Sequence, residues 1–286
     1  MTGWDSAYPA PAKLNLFLHV VGRRPDGYHL LQSLFRLIDR GDTLRFAPRG
    51  DGRIMRAHPL AGVPEKSDLC VRAGQLLQEA SGCEQGVEIA LDKCLPMGGG
   101  LGGGSSDAAT VLLALNRLWD LNWPRERLQA LGLRLGADVP FFIFGRSALA
   151  EGVGDVLLPV ELPPAWYLVI EPSVSVPTAE IFAAPNLTRD TKAIKMADFS
   201  AGWGVGGLFG HNNLEPVVCG RYPEVARALA WLRQHAEARM TGSGACVFAP
   251  FAAEQDARAV LARMPEDMIG WVARGLDEHP LRALAD

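Results

Sequence analysis

The sequence of 286 residues lacks the features that would assign it to a membrane, to secretion or to a nucleic acid. No apolar run approaches the ~18 residues that a membrane-spanning helix needs. The amino terminus, MTGWDSAYPAPAK, has neither the basic nor the apolar segment of a signal peptide. The net charge is −4 and no basic stripe is present, which disfavours nucleic acids and anionic membranes as partners. We therefore expect a cytoplasmic protein with a small-molecule ligand.

Cysteine is scarce as well. The five cysteines are an odd number and no pair has zinc-ligand spacing, which predicts free thiols in a reducing compartment and no cysteine-bound metal. No metal-ligand motif is visible elsewhere. The chain also has no coiled coil and no apolar seam, so we predict a monomer or a weak homodimer.

The length is sufficient for two domains. Proline becomes frequent around residues 158–164, and we place the boundary there, with domains at residues 1–160 and 161–286. Strands and helices interleave in both halves, which indicates an α+β or α/β class.

Alternating apolar residues predict a strand over residues 13–21, with Lys13 and Asn15 together on its polar face. Pro25-Asp26-Gly27 has the composition of a turn. The next segment, LLQSLFRLI at residues 30–38, fits a strand or a helix, and its position after a turn favours a strand. Further strands are predicted for GVEIALDKCLP at residues 86–96, VPFFIF at 139–144, SALAEGVGDVLLPV at 147–160 and WYLVIEP at 166–172.

A helix with an apolar face is predicted after residue 104, with Ser105 or Ser106 as its N-cap. Pro124 is expected to open a second helix that Gly136 closes. Other helices are predicted at residues 178–183, 223–235 and 253–264, and residues 185–210 are predicted to form a mobile loop.

LPMGGGLGGGSSDAA, at residues 95–109, holds six glycines between a predicted strand and a predicted helix. A flexible linker would be flanked by domain ends, and a tight turn would not need two glycine triplets. Glycine allows the backbone to approach a ligand closely, and a helix N-terminus presents free N–H groups to an anion. The segment is therefore interpreted as a phosphate-binding loop.

Two other phosphate-binding motifs fit less well. A Walker A loop requires a lysine before the serine, whereas Gly104 precedes Ser105 directly. A Rossmann fingerprint belongs in the first strand–helix turn, whereas this loop follows several strands.

The same segment resembles the nucleotide-binding motif of the GHMP kinases. Three further blocks resemble one branch of that family: PAKLNLFLHVVGRRPDGYHLLQSLF at residues 11–35, LGADVPFFIFGRSALAEGVGD at 135–155 and MTGSGACVFA at 240–249. The resemblance extends from residue 11 to about residue 281. It implies an α+β fold with a ribosomal-protein-S5-like N-terminal ATP-binding domain, a ferredoxin-like C-terminal substrate-binding domain and an active site in the cleft between them.

The resemblance also implies a reaction. ATP, with Mg²⁺, would donate its γ-phosphoryl group to the 2-hydroxyl of a diphosphocytidyl methylerythritol, a step of non-mevalonate isoprenoid precursor synthesis. Phosphoryl transfer needs positioning, charge neutralisation and a group that accepts the hydroxyl proton.

Asp138 matches the family's catalytic base, and Lys13 matches the lysine that pairs with it. Taken alone, Asp138 reads as a turn or N-cap aspartate and Lys13 as a solvent-facing strand residue. We predict that Lys13 Nζ lies within hydrogen-bond reach of an Asp138 oxygen or one water away, because its charge would lower the carboxyl pKa and polarise the hydroxyl.

The nucleotide would be held by the glycine loop. Serine hydroxyls would add contacts to phosphate or Mg²⁺, and Lys93 is either a nucleotide contact or a solvated strand-end lysine. The nucleotide-binding residues implied are Lys93, Pro96, Met97, Gly98, Gly99, Gly100, Leu101, Gly102, Gly103, Gly104, Ser105, Ser106 and Asp68.

For the substrate, Tyr28 and Phe182 would sandwich the cytosine ring and His29 would hydrogen-bond it. Without the resemblance, both aromatic residues are better explained by packing. Asn15 and Thr178 are further polar candidates. Gly242, Ser243 and Gly244 would bring a backbone turn near the substrate phosphates, although an ordinary glycine turn explains the same residues.

Two positions depart from the family pattern. Asp68 stands where the family commonly has an asparagine near the adenine, and aspartate lacks the amide donors. Asp107 stands where a small or amide residue is usual, and its charge would either approach Mg²⁺ or repel phosphate.

Three other functions fit the sequence less well. Another GHMP kinase, acting on mevalonate or homoserine, would lack PDGYH after the first strand. A catalytically dead ligand sensor would have lost Lys13 or Asp138. A dinucleotide-dependent oxidoreductase is disfavoured by the position of the glycine loop.

Overall fold

The structure is a computed structural model that describes residues 3–25, 27–194 and 204–285. Ten strands and eight α-helices lie in these ranges. The strands are β1 (Tyr8–Arg23), β2 (His29–Arg49), β3 (Ile54–Arg56), β4 (Gly86–Asp92), β5 (Ala148–Glu151), β6 (Val156–Pro159), β7 (Trp166–Glu171), β8 (Arg239–Met240), β9 (Val247–Phe251) and β10 (Ile269–Leu276). The helices are α1 (Leu69–Ser81), α2 (Gly103–Leu118), α3 (Arg125–Leu133), α4 (Val139–Phe144), α5 (Thr178–Phe182), α6 (Glu215–Arg221), α7 (Pro223–Leu232) and α8 (Glu254–Leu261).

The strands form one continuous sheet in the order β3-β4-β2-β10-β7-β9-β8, with β1 and β5 also paired to β2, and β6 paired to β5. Only β3 and β4 are parallel among the described pairs. The two halves of the chain join where β10 pairs with β2, at Gly275–Ile38 and Leu276–Leu37. The mixed sheet with packed helices is the expected α+β class.

Three hydrophobic clusters make up the core. One belongs to the first half of the chain but includes Leu281 and Ala285 from the carboxyl end. A second belongs mainly to the second half, and a third lies between them, with Leu14 and Leu16 of β1 packed beside Tyr167 and Val169 of β7. The carboxyl end therefore returns to stabilise the domain in which the chain began.

Helix α2 lies at the centre of the first domain. The predicted helix is confirmed, but every residue from Ser106 to Asn116 is buried, so it has no solvent-facing side over that stretch. A helix buried all round is typical of the interior of a large domain. The glycine loop is therefore attached to a rigid central element.

Most of the predicted strands and helices are confirmed, including the strand over residues 30–38. VPFFIF was wrongly predicted as a strand. It forms α4, with Pro140 in its first turn and Gly145 ending it in the left-handed conformation at φ 72°. Helix α3 ends at Leu133 rather than near Gly136. Helices α1 and α6 and strands β3, β8 and β10 were not predicted.

The segment predicted as a mobile loop, residues 185–210, is only partly described. Residues 195–203 lie outside the described residues. The flanking residues 185–194 and 204–210 contain no α-helix or strand, only one short 3-10 turn at Val205–Gly207. Mobility of this segment stays a prediction.

Candidate active site

A cleft of about 610 Å³ lies where the glycine loop, β1 and the turn after β8 meet. It brings together most of the residues that the sequence predicted. Those lining it are Lys13, Asn15, Asp68, Lys93, Pro96, Met97, Gly98, Gly99, Gly100, Leu101, Gly102, Gly103, Gly104, Ser105, Asp138, Thr178, Phe182, Gly242, Ser243 and Gly244. Tyr28, His29 and Ser106 are not among the lining residues.

The glycine loop is fastened to the second glycine motif by backbone hydrogen bonds. The N–H of Ala245 donates to the Gly98 carbonyl at 3.1 Å, and that of Cys246 donates to the Gly99 carbonyl, also at 3.1 Å. Two glycine motifs about 140 residues apart in sequence thus form one wall of the cleft. This direct pairing was not foreseen from the sequence.

The loop ends at Gly102, which is the N-cap of α2 with a left-handed φ of 72°. A serine N-cap was therefore wrongly predicted, since the helix begins at Gly103. Ser105 lines the cleft from the first turn of the helix. The Ser106 hydroxyl is fully buried and donates to the Pro11 carbonyl at 2.7 Å, so its predicted contact with phosphate or Mg²⁺ is wrong in this arrangement. The successive N–H groups of the first turn remain the natural anion donors.

Lys13 and Asp138 meet at the cleft, as predicted. Lys13 Nζ lies 3.5 Å from Asp138 Oδ2. The lysine side chain is buried, donates to Asn15 Oδ1 and lies 5.2 Å from the centre of the Phe35 ring. Because a buried ammonium requires a counter-charge and hydrogen bonds, the carboxylate, the amide and the ring together explain why this lysine is not solvent-facing.

Asp138 is the residue before α4, and its side chain makes no hydrogen bond to the helix backbone. The carboxylate therefore does not accept a hydrogen bond from the first turn of the helix, as an N-cap aspartate usually does. Its side chain is 35% exposed, in contact with both the cleft and Lys13. A partly exposed carboxylate beside a buried cation can accept a proton from a hydroxyl group placed in the cleft.

Lys93 is neither a free nucleotide contact nor a solvated lysine, because two buried carboxylates hold it. It donates to Asp42 Oδ2 and, at 2.9 Å, to Asp107 Oδ2. Asp42 also accepts from the backbone N–H groups of Cys94 and Leu95, at 2.6 and 2.8 Å. Asp42 thus anchors the segment that leads from β4 into the glycine loop.

The carboxylate of Asp107 is less well satisfied. Its Oδ1 is buried and makes no hydrogen bond within the described residues. Burial raises the pKa of Asp107 from 3.8 to about 7, against the opposing charge of Lys93 and with the charge of Asp42 adding to the rise. The charges of Asp107 and Asp42 in turn raise the pKa of Lys93, although burial by itself lowers it. Two carboxylates share one ammonium, and Asp107 is the one with fewer hydrogen bonds.

Replacing Asp107 by asparagine is expected to alter how stability depends on pH. An acid whose pKa is raised on folding adds stability below its unfolded pKa and loses it as pH rises through the folded value. Between pH 4 and about 8, the wild-type protein should therefore lose stability relative to Asp107→Asn by more than about 1 kcal/mol. Urea unfolding of both proteins across this range measures the difference, with the exposed Asp256→Asn as control. Parallel curves would contradict the shift.

Asp68 is the N-cap of α1. Its Oδ1 accepts from the N–H groups of Cys70, at 2.8 Å, and Val71, at 3.4 Å, and its Oδ2 lies 3.5 Å from Arg56 Nη1. An aspartate is among the best N-cap residues. The carboxylate lines the cleft, but its oxygens contact the backbone of α1 and Arg56. These contacts explain an acid at this position without any contact to adenine.

The stacking of Tyr28 and Phe182 on a cytosine ring stays a prediction. Tyr28 is 67% exposed and outside the cleft. The ring beside Phe182 is that of His29, with ring centres 5.0 Å apart and planes at 35°. His29 begins β2, and pairing with Arg23 across the hairpin turns it towards α5.

The remaining substrate candidates make polar contacts in and around the second glycine motif. The hydroxyls of Thr178 and Ser243 are hydrogen-bonded at 2.7 Å. Asn15 Nδ2 donates to Ser33 Oγ at 2.8 Å, and the Asn15 N–H donates to Thr241 Oγ1 at 3.0 Å. Thr241 joins β1 to the second glycine motif and was missed because nothing in its sequence context separates it from an ordinary turn residue.

The helices described in the structure include none with the length and apolarity to cross a membrane. Among the described residues there is also no cluster of three or more histidine, cysteine, aspartate or glutamate side chains arranged to hold a metal ion.

Comparison with family models matches residues 68–146 to the GHMP kinases N terminal domain and residues 199–270 to the GHMP kinases C terminal domain. These matches cover more than half of the chain, so the chain belongs to the GHMP kinase family. It is an ATP-dependent kinase with the two-domain architecture of that family.

Its relatives define the branch. A 4-diphosphocytidyl-2-C-methyl-D-erythritol kinase of Thiobacillus denitrificans is 68% identical over 277 residues, which cover 97% of this chain and 98% of the relative. A kinase of the same name from Dechloromonas aromatica is 60% identical and covers 97% of this chain and 100% of its own. A crystal structure of a 4-(cytidine 5'-diphospho)-2C-methyl-D-erythritol kinase matches with a TM-score of 0.76 at 35% identity, over 94% of this chain and 99% of the other. Within the GHMP kinases, the chain groups with the 4-diphosphocytidyl-2-C-methyl-D-erythritol kinases.

More distant structures share the fold alone. A homoserine kinase from Cytophaga hutchinsonii has a TM-score of 0.67 at 20% identity, over 96% of this chain and 94% of its own.

Proposed function

We propose that the protein transfers the γ-phosphoryl group of ATP to the 2-hydroxyl of 4-diphosphocytidyl-2-C-methyl-D-erythritol, giving the 2-phosphate and ADP in non-mevalonate isoprenoid precursor synthesis. The observation that carries this proposal is the Lys13–Asp138 pair, 3.5 Å apart, in the same cleft as the glycine loop. The names of the relatives supply the substrate, and the pair supplies a means of handling the hydroxyl proton.

In this mechanism Asp138 accepts the proton of the attacking hydroxyl as the bond to phosphorus forms. Lys13, which contacts Asp138 and Asn15, places a positive charge beside the carboxylate and polarises the hydroxyl. Both groups are held by regular secondary structure: Lys13 lies in the middle of β1, and Asp138 lies at the start of α4. Fixed donors and acceptors of this kind lower the reorganisation needed at the transition state.

The triphosphate binds to the glycine loop and to the first turn of α2. Residues 96–105 all line the cleft, and the absence of Cβ atoms at the six glycines among them leaves backbone N–H groups accessible to phosphate oxygens. Lys93 and Asp68 support this wall through Asp42, Asp107 and Arg56 rather than by direct contact. The proposed nucleotide contacts are therefore chiefly those of the backbone.

Mg²⁺ is proposed to accompany ATP. Magnesium commonly keeps several waters and binds through substrate phosphates with one or two protein oxygens, so a kinase does not need an all-protein cage. The Ser105 hydroxyl is an oxygen ligand that lines the cleft and fits this requirement. When bound, the ion neutralises charge on the phosphoryl oxygens.

The cytidyl end of the substrate is proposed to bind near His29 and Phe182, with Thr178, Ser243 and the flanking glycines towards its phosphates. The Thr178–Ser243 hydrogen bond links α5 to the second glycine motif at that wall. Tyr28, which is exposed on the adjoining hairpin, would have to turn inward to reach the base.

Several broader features remain proposals alongside the reaction. We propose a division into domains at residues 1–160 and 161–286, which fits one core cluster drawn mainly from the first half of the chain and another drawn mainly from the second half. A cytoplasmic location and a monomeric or weakly dimeric state suit a small-molecule kinase with no obligatory partner.

A coupled ADP-release assay with ATP and three acceptors tests the function. Turnover is expected with the cytidyl substrate and not with mevalonate or homoserine. The distant homoserine kinase shares the fold, so an acceptor other than the cytidyl compound is the appropriate comparison. Turnover with mevalonate or homoserine alone would overturn the proposed substrate, while the kinase class would stand. A matched reaction without acceptor measures background ATP hydrolysis.

A further inference from the structure

Arg189 is a half-buried arginine whose guanidinium donates hydrogen bonds to three backbone carbonyl groups. Its Nη2 donates to the carbonyls of Phe182 and Ala184, at 2.9 and 2.7 Å, and its Nη1 donates to that of Leu187 at 3.0 Å. These carbonyls belong to the end of α5 and the turn that follows it. The guanidinium is therefore fixed in place without any help from His29.

The fourth bond of Arg189 reaches the site. Its Nε donates to His29 Nε2 at 3.1 Å. A guanidinium can only donate, so Nε2 of His29 must act as an acceptor and cannot carry a proton. In neutral imidazole the proton then resides on Nδ1, since the hydrogen bond made by one ring nitrogen decides the state of the other.

The histidine is neutral under ordinary conditions. Burial, followed by the charges of Arg189 and Arg23, lowers the pKa of His29 below its usual 6.5. Its ring packs beside Phe182, and Nδ1 is the ring nitrogen that Arg189 does not contact. Within the described residues, Nδ1 has no hydrogen-bond partner of its own.

We propose that Arg189 is a positioning residue that holds His29 as the Nδ1-protonated tautomer, so that the ring presents a donor to an acceptor atom of the substrate's base. The identity of the substrate in this inference rests on the proposed function. The tautomer of His29 does not, because it follows from the hydrogen bond with Arg189. Arg189 touches no reacting atom. It joins two elements, the start of β2 and the end of α5, that carry His29 and Phe182.

Arg189→Ala tests the proposal by two readouts. With ¹⁵N-labelled histidine, the wild-type His29 signals are expected to report Nδ1 protonated and Nε2 unprotonated, and the variant a mixture of both tautomers. In steady-state assays KM for the cytidyl substrate should rise about tenfold. KM for ATP and kcat should stay within about twofold, because Lys13, Asp138 and the glycine loop are untouched.

Arg221→Ala is the matched control. Arg221 Nη1 donates to the Glu180 carbonyl of the same short helix at 3.3 Å, is exposed and does not contact His29. In the Arg221→Ala variant, the His29 nitrogen signals and KM for the cytidyl substrate should equal those of the wild type. Should Arg189→Ala fail to fold, Arg189→Lys retains a cation but not the planar fork, and should shift the tautomer in the same direction.

An unchanged His29 tautomer in both Arg189 variants would overturn the proposal, as would a wild-type His29 protonated on Nε2. Absence of turnover by the wild-type protein with the cytidyl substrate would instead remove the proposed function. The nitrogen signals would still decide the role of Arg189, so the two failures are distinguishable.

Discussion

Replacing Asp138 by asparagine is expected to lower kcat by about 10²–10⁴-fold while ATP still binds. Asparagine has nearly the same shape and its Oδ1 can still accept from Lys13, so the wall of the cleft should keep its geometry. It cannot take up the hydroxyl proton. Steady-state kinetics measures kcat, and calorimetry measures the affinity for ATP. Together they separate an effect on the chemical step from an effect on binding.

The control for this variant is Asp256→Asn, an exposed change on α8 that should leave both quantities unaltered. Lys13→Met and the double variant extend the test. Residues that act as a unit are strongly non-additive, so the double variant should lose little more than either single one. A near-normal kcat in Asp138→Asn would rule out the base assignment.

Replacing Gly100 by alanine is expected to raise KM for ATP by more than about tenfold and to lower thermal stability. Gly100 has φ 74°, and a Cβ there would lie 2.2 Å from the Thr241 carbonyl oxygen and 3.1 Å from that of Gly244. The left-handed conformation alone costs about 1–2 kcal/mol in a residue with a side chain. The added contact is with backbone, which cannot rotate away, so the glycine loop must separate from the second glycine motif.

Gly220→Ala gives the comparison. It is the same substitution in α6, where a Cβ would meet nothing within 4 Å. Alanine is favoured over glycine in a helix, so this variant should be equally stable or slightly more so, with unchanged KM. If Gly100→Ala kept KM for ATP within twofold of wild type, the pairing of the two motifs would not matter for nucleotide binding. Thermal unfolding shows whether the loss is local or global.

Local structure was predictable where a single physical pattern dominated. The alternation in β1 and the apolar repeat of α2 both reflect burial that is periodic in sequence, so the elements were foreseen. For VPFFIF, the sequence pattern does not distinguish a strand from a helix. An apolar run of six residues suits a buried strand or a buried helix equally, and packing of α4 against α2 and α3 decided the matter.

The exposure of particular residues was less predictable. The polar face of β1 was expected to be open to solvent on general grounds, yet Lys13, Asn15 and His19 are all buried. That face is covered by the glycine loop and by residues 210–213 and 241, which are remote in sequence. No local pattern carries information about such a cover.

The sequence by itself determined the family and the α+β class, indicated that Lys13 and Asp138 are partners, and predicted a phosphate-binding role for residues 95–109. Composition, periodicity and motif order depend on short segments, which the printed chain displays directly. Only the tertiary structure decided that Ser106 faces inward, that Asp107 and Asp42 share Lys93, that Asp68 caps a helix, and that Arg189 donates a hydrogen bond to His29. These arrangements pair residues as far as 160 positions apart, and their energies come from burial and hydrogen bonding that exist only once the sheet has brought those segments together.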